Sequence, residues 1–365
     1  MKCHFVYSVP MHVNNSVVAR IERKIRSILS DNCIPVGLLS NRQPTLDDFN
    51  KWPIQSPSEN TRHLYLALSK KIPTLLYHLT EKVHCRFQSE DVFLGHPYFP
   101  HVEGKYGVTE IALKDRIRPR KVAIITPLHC DVEIKTDHIN KEFLDDVNNL
   151  LPASDVLFGI MGQYWWDQWD YSQYSHWKSK MVRLDMAVDA KRYPRIKYSF
   201  NPKGKRGYLY IGNSSDPRKG VDYLSHLMKK LGDYPKGWIG SGPDIPNVPK
   251  ISDNRQLTPE FMAEVGNKFD FFISPSKADP NPTTILESMA WGFPVVCTPQ
   301  SGYYGTDYRR NIYLDDISGS VNVLNELQYD DERKLVFMAN KAREKVVVDY
   351  NWDKFTSTVI LNLGL

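Results

Sequence analysis

Cysteine is scarce in this 365-residue chain. Its five cysteines, Cys3, Cys33, Cys85, Cys130 and Cys297, are scattered and odd in number, and none forms a Cys-x-x-Cys pair. A disulfide framework or a thiolate zinc site is therefore not expected to organise the fold, and a reducing compartment is favoured. No run approaches the roughly 18 apolar residues of a membrane-spanning helix. The opening MKCHFVYSVP lacks the long apolar region and small-residue cleavage site of a secretory leader. It reads as a short strand, which leads to the expectation of a cytoplasmic protein. Low-complexity tracts and internal sequence repeats are also missing. Charge is weakly biased, with a net of +5. That falls short of a nucleic-acid-binding balance. It fits an anionic small molecule, contact with an anionic membrane surface, or simple solubility.

What is present is enough apolar sequence for large cores, 41% of residues, in a chain long enough to suggest two domains. Strands and helices alternate through both halves. In the first half, Cys3 to Tyr7, Pro35 to Leu39, Asp91 to Leu94, Lys121 to Thr126, Asp155 to Ile160 and Met181 to Leu184 read as strands. Val17 to Leu29 and Ile139 to Leu150 read as helices, the first with Val17, Val18, Ile21, Ile25 and Ile28 on one face. A second half opens with strand Tyr208 to Ile211, followed by a helix to Leu231 and strand Lys236 to Ile239. After a further short strand comes a helix from Pro259 to Val265. This is the pattern of doubly wound α/β domains with parallel sheets. The polar stretch from Tyr193 to Arg206 reads as the linker between them.

The most informative segment runs from Phe271 to Thr298, FFISPSKADPNPTTILESMAWGFPVVCT. An apolar strand ends in Ser274-Pro275-Ser276, a polar loop holds Asp279, and a helix carries Glu287. A second apolar strand, Pro294 to Cys297, closes a βαβ unit. Pro282 suits the first helical turn, where its missing N–H costs nothing. Thr283 and Thr284 offer backbone amides and hydroxyls at the helix N-terminus, a place suited to phosphate. Glu287 lies one turn further in, on the face of Thr283. Its carboxylate can accept two hydrogen bonds from a vicinal diol such as a ribose. Asp279 sits on a strand's carboxyl-end loop, where open α/β sheets bind ligands.

Asp279, Glu287 and the run Met289-Ala290-Trp291-Gly292-Phe293-Pro294-Val295-Val296 resemble the signature of retaining GT-B glycosyltransferases, specifically glycosyltransferase family 4 (glycosyl transferases group 1). The chain departs from it in carrying Asp at the first acid and Pro282 where the family usually has Gly. The resemblance extends from about residue 180 to the end and is diffuse before that. The family's N-terminal Gly-Gly loop is replaced by Pro10-Met11-His12-Val13-Asn14-Asn15-Ser16. It implies two Rossmann-like domains facing a central cleft: an acceptor-side domain over 1–192, a linker over 193–206, and a nucleotide-sugar domain over 207–347. Residues 348–365 would form a helix crossing back to the N-terminal domain. It also implies transfer of a sugar from a nucleotide diphosphate sugar to a carbohydrate or lipid-linked glycan, with retention. No cofactor is implied, and with no Asp-x-Asp motif no divalent metal is expected.

Several residues acquire expected roles through the resemblance. Lys219, at the end of Gly212-Asn213-Ser214-Ser215-Asp216-Pro217-Arg218-Lys219-Gly220, matches the lysine that contacts the donor diphosphate. Asn213 stands where the family often has Arg, and Arg218 is the candidate substitute. Gly240, Ser241 and Gly242 match a turn of the nucleotide pocket. Gln256 and Leu257 fall where backbone groups read the base. Asn281, Pro282, Thr283 and Thr284 complete the donor side. His129, at the end of a strong strand, would contact the donor sugar from the opposite domain, and His96 is a weaker candidate on the acceptor side. Val188 and Asp189 match a turn that marks the domain boundary.

The aromatic stretch from Tyr164 to Trp177, YWWDQWDYSQYSHW, has three readings. Tyr164, Trp165, Trp166 and Trp169 can form an acceptor platform, since rings stack on sugars. They can meet a membrane interface, or they can form a buried aromatic cluster. The basic run Lys114 to Lys121 can meet anionic head groups or remain a solvated loop. Another GT-B activity, epimerase or phosphorylase, and a catalytically silent nucleotide-sugar-binding partner protein are the competing functions.

Overall fold

The computed structural model describes residues 1–7, 58–78, 88–95, 118–128, 141–253, 257–303 and 307–365. The expected helix at 17–29, the strand at 35–39, the loop at 10–16, His96 and His129 lie outside them.

Among the described residues two six-stranded sheets form, and every pairing in both is parallel. The first contains β1 (Cys3–Tyr7), β2 (Thr74–His78), β3 (Val92–Gly95), β4 (Lys121–Pro127), β5 (Val156–Ile160) and β6 (Met181–Leu184), in the order β2-β1-β3-β4-β5-β6. The second contains β7 (Tyr208–Ile211), β8 (Lys236–Ile239), β9 (Lys250–Ser252), β10 (Phe271–Ser274), β11 (Val295–Cys297) and β12 (Arg309–Asn311), ordered β12-β11-β10-β7-β8-β9. Parallel strands covered on both faces should be continuously apolar rather than alternating. β3, β5, β7 and β10 are buried at every position. This is the GT-B arrangement of two Rossmann-like units.

Among the described residues the helices are α1 (Ser58–Ser69), α2 (Lys141–Leu150), α3 (Gln163–Gln168), α4 (Val221–Lys230), α5 (Pro259–Lys268), α6 (Thr283–Trp291), α7 (Ile317–Tyr329), α8 (Glu332–Asp349) and α9 (Trp352–Leu363). Most of those in the second half start at a defined cap. Thr258 accepts from Phe261 N at α5, Asp316 from Gly319 N at α7, and Asn351 from Lys354 N at α9. α6 differs: Pro282 precedes it in an extended conformation and no side chain caps it. Its Ile285, Leu286, Met289 and Ala290 are fully buried, so packing holds it in place. Truncating Leu286 to Ala would cost about 2–5 kcal/mol and loosen the helix that carries Glu287.

One apolar core runs through residues of both sheets and takes in α6 and α9. α9 returns to the first unit, where Trp352 stacks on His63 of α1 with centroids 4.4 Å apart. Nothing between residues 185 and 207 is helix or strand. There, buried Lys197 pairs with Asp270 at 2.8 Å and donates to Gly266 O at 2.7 Å.

Candidate active site

The strand order of the second sheet reverses between β7 and β10. In open α/β sheets, ligands bind outside the carboxyl ends of the strands at such a point. The loop after β7 carries Lys219, and the loop after β10 carries Asp279. The structure brings them together: Lys219 Nζ donates to Asp279 Oδ2 as an ion pair.

Backbone contacts fix this meeting. Lys277 N and Ala278 N both donate to Arg218 O, at 2.8 and 3.2 Å. Gly220, at φ 68°, joins the turn Pro217–Lys219 to α4. A Cβ there would lie 2.0 Å from Pro275 O, so only glycine lets the two loops touch. Behind Lys219, Asp216 caps the turn by accepting from Arg218 N at 3.0 Å. It also receives Arg218's guanidinium in two bonds of 3.0 and 2.8 Å. These contacts hold the Asp216 carboxyl below its usual range, despite the burial that opposes ionisation. Arg218 is therefore committed to its own turn. Asn213 is exposed, and its Oδ1 accepts from Ser215 N at 2.9 Å. Gly240 and Gly242 sit at φ 145° and 110° beside this turn, and Ser241 O accepts from Ser214 N at 2.9 Å. Leu257 packs against the core, while Gln256 lies outside the described residues.

The Asp279 loop is gripped from the other sheet. Trp165 Nε1 donates to both Asp279 O and Gln300 O, at 3.1 Å each. Gly162 N donates to Pro280 O at 2.8 Å, and Tyr164 N to Gly302 O at 3.2 Å. The approach is so close that a Cβ on Gly162 would fall 1.8 Å from Gly302 O. Asn281 Oδ1 accepts from Met186 N at 2.8 Å and from Tyr303 OH at 3.0 Å. Asn281, expected on the donor side, thus points its carbonyl at the first unit; its buried Nδ2 has no partner.

Glu287 is placed differently. It lines a pocket of about 20 Å³ with Glu59, Asp189, Arg192, Tyr193, Thr283 and Trp352. Hydroxyls of Thr283 and Tyr193 bond its carboxyl, yet burial outweighs them and pushes it up to about 7. Arg192 lies 3.5 Å from Glu59, which Arg62 also pairs at 2.8 Å. Thr283 and Thr284 are half-buried at the uncapped start of α6.

The aromatic stretch is a correction. Trp165 and Trp169, expected as faces of an acceptor platform, are fully buried, as is Trp177. Tyr164 is nearly so, and Trp166 alone of the four candidates is half-buried, with Lys178 Nζ 4.8 Å from its ring centroid. The stretch folds as α3 and two short 3₁₀ turns, because burying the indoles outweighs their modest helix preference. Each buried indole N–H finds an acceptor: Tyr174 O for Trp169, Asn148 Oδ1 for Trp177. Among the described residues, no helix is long and apolar enough to cross a membrane, and no cluster of three or more His, Cys, Asp or Glu is placed to hold a metal ion.

Comparison with known proteins agrees with this fold. Residues 205–314 match the family described as Glycosyl transferases group 1. The resemblance to that family is borne out over this range. No curated protein matches the chain. Among solved structures, TarM is similar with a TM-score of 0.57 and 11% identity, over 78% of this chain and 57% of that one. This chain therefore spans little more than half the length of TarM. Sucrose-phosphate synthase from Thermosynechococcus elongatus aligns with a TM-score of 0.57 and 12% identity, over 98% of this chain and 97% of that one. A trehalose-6-phosphate structure from E. coli, bound with UDP-2-fluoro glucose, gives 0.59 and 10%, over 100% and 99%. At such identities the likeness is one of fold, and the fold is GT-B.

Proposed function

We propose that this chain is a glycosyltransferase that moves a sugar from a nucleotide diphosphate sugar to a carbohydrate or lipid-linked glycan, with retention and without a metal ion. The observation that carries this reading is the meeting of Lys219 and Asp279 at the switch point of the second sheet, beside the uncapped N-terminus of α6. A leaving diphosphate needs positive charge and preorganised donors where its own charge grows. Lys219 and the amides at Thr283 and Thr284 supply them. Asp279 accepts hydrogen bonds from donor-sugar hydroxyls once Lys219 has turned to phosphate. By the family resemblance, Glu287 binds the ribose and His129 contacts the donor sugar.

The step in this reading is a front-side displacement. The bond from the anomeric carbon to the leaving phosphate oxygen breaks, and the acceptor oxygen bonds the same face. The acceptor's proton passes to the leaving phosphate. With the aromatic rings turned inward, the acceptor is met by other groups of the first unit. The neighbour bound with UDP-2-fluoro glucose supports a nucleotide-sugar donor.

The test is a calorimetric screen of UDP-, GDP- and ADP-sugars on the purified chain, followed by turnover with glycan acceptors in the presence of EDTA. Binding of one donor and EDTA-resistant transfer would support the reading. Binding without transfer to any acceptor would favour a silent partner protein. Activity lost in EDTA and restored by magnesium or manganese would overturn the metal-free account.

A further inference from the structure

Tyr210 ends its side chain beneath the turn that carries Lys219. The residue is 2% exposed, and its buried hydroxyl has no hydrogen-bond partner. An orphan buried hydroxyl is costly, and one at the edge of a candidate site calls for an explanation. Its position is defined by Gly212, the first residue of the turn: a Cβ there would lie 2.5 Å from the Tyr210 hydroxyl. Burial, with the Asp279 and Asp216 carboxylates acting in the same direction, keeps it protonated far above the ordinary tyrosine range. The group is thus a neutral donor between the two loops of the switch point. Both of those carboxylates are already paired, Asp279 with Lys219 and Asp216 with Arg218.

We infer that Tyr210 is a binding residue for the distal phosphate of the nucleoside diphosphate, donating its hydroxyl when that phosphate draws Lys219 away from Asp279. The inference rests on the proposed donor site and adds to it a residue whose alternating place in β7 reads as core. A neutral donor suits the task, because it adds a bond to the anion without forming an ion pair in the empty site. Tyr208, two residues back on the same face, shows the contrast: its hydroxyl donates to Leu324 O at 2.6 Å and is structurally satisfied.

The experiment uses the full chain and Tyr210→Phe, with UDP, GDP and ADP as probes in calorimetry and the matching monophosphate beside each. Whichever diphosphate wild type binds should bind the variant roughly ten- to a hundredfold more weakly, the loss of one hydrogen bond to a charged acceptor. The monophosphate should bind both proteins alike. Melting temperature should hold or rise, since the variant removes an unpaired buried group. Equal diphosphate affinity in both proteins would overturn the inference and leave the donor site standing. A lower melting temperature with both nucleotides weakened would show a packing role only. If wild type binds no nucleotide, the donor site itself falls, and Tyr210's role with it.

Discussion

Replacing Asp279 with Asn should tighten the binding of a bare nucleoside diphosphate while slowing sugar transfer. The two effects have opposite signs because Asp279 has two partners in turn. In the structure its carboxylate holds Lys219, with the two side chains 12% and 29% exposed. A diphosphate that recruits Lys219 must first break that pair. Exposed ion pairs contribute about 0.2–1 kcal/mol, and charge-assisted hydrogen bonds about 1.5–3 kcal/mol. A half-sheltered pair falls between, at about 1–2 kcal/mol. Asn keeps the shape and one acceptor but loses the charge, so most of that cost disappears. The change corresponds to roughly five- to thirtyfold in Kd. Relief of repulsion between Asp279 and the phosphates acts in the same direction. Transfer should nonetheless slow, because the carboxylate no longer accepts from sugar hydroxyls. The assay is calorimetry with the cognate diphosphate on wild type, Asp279→Asn, Lys219→Ala and the double variant, with turnover measured on the same preparations. In the Lys219→Ala background the gain should shrink to the repulsion part alone. Weaker diphosphate binding in Asp279→Asn would refute the competition argument, since Asp279 would then be helping to hold the nucleotide.

Other outcomes follow from the same geometry. Lys219→Ala should lower turnover by about a hundred- to a thousandfold, the effect of losing one donor to developing negative charge; a loss confined to KM would assign it to ground-state binding. Glu287 is held at about 7 against its ordinary 4.5, so the folded state binds more protons than the unfolded chain between those values. Stability should therefore fall as pH rises through that window, by at most about 3 kcal/mol, and level off above it. Urea melts from pH 4 to 8 should show that slope flattened in Glu287→Gln. Trp165→Ala should cost about 3–5 kcal/mol of stability, while Trp165→Phe, which keeps much of the packing but lets go of Asp279 O and Gln300 O, should slow turnover more than it lowers the melting temperature.

Where a short apolar run lies between turn residues, the sequence was readable almost to the residue. Met181–Leu184, Tyr208–Ile211 and Lys236–Ile239 are strands over their expected ranges, since a short apolar run between turn residues has few other uses. α1 and β2 escaped notice for a physical reason. α1 buries Leu64 and Leu68 on one face of a mostly polar segment, and β2 is a five-residue edge strand after a proline. Short, weakly patterned elements draw their stability from partners distant in sequence, and β2 has one in β1. Pro282 was placed one position too far into α6; it precedes the helix in extended backbone, as proline's fixed φ equally allows.

For the site, the split follows sequence distance. The βαβ unit that carries Asp279 and Glu287 was legible because its strands and helix follow one another in sequence. The partner of Asp279 was not, because Lys219 arrives from another strand 60 residues away. The aromatic stretch shows the same limit more sharply. YWWDQW announces rings but not which way they face. Trp165 turns inward because its N–H finds two carbonyls more than 110 residues away, Asp279 O and Gln300 O. A ring read as a surface for the acceptor instead anchors the loop that carries the donor-side acid. Gly162 and Gly302 make that anchoring possible by letting two backbones meet where any side chain would collide. Neither glycine belongs to a recognisable motif. Their meaning exists only once the two sheets are in contact, so it is at the contact between the units that the structure adds most to the sequence.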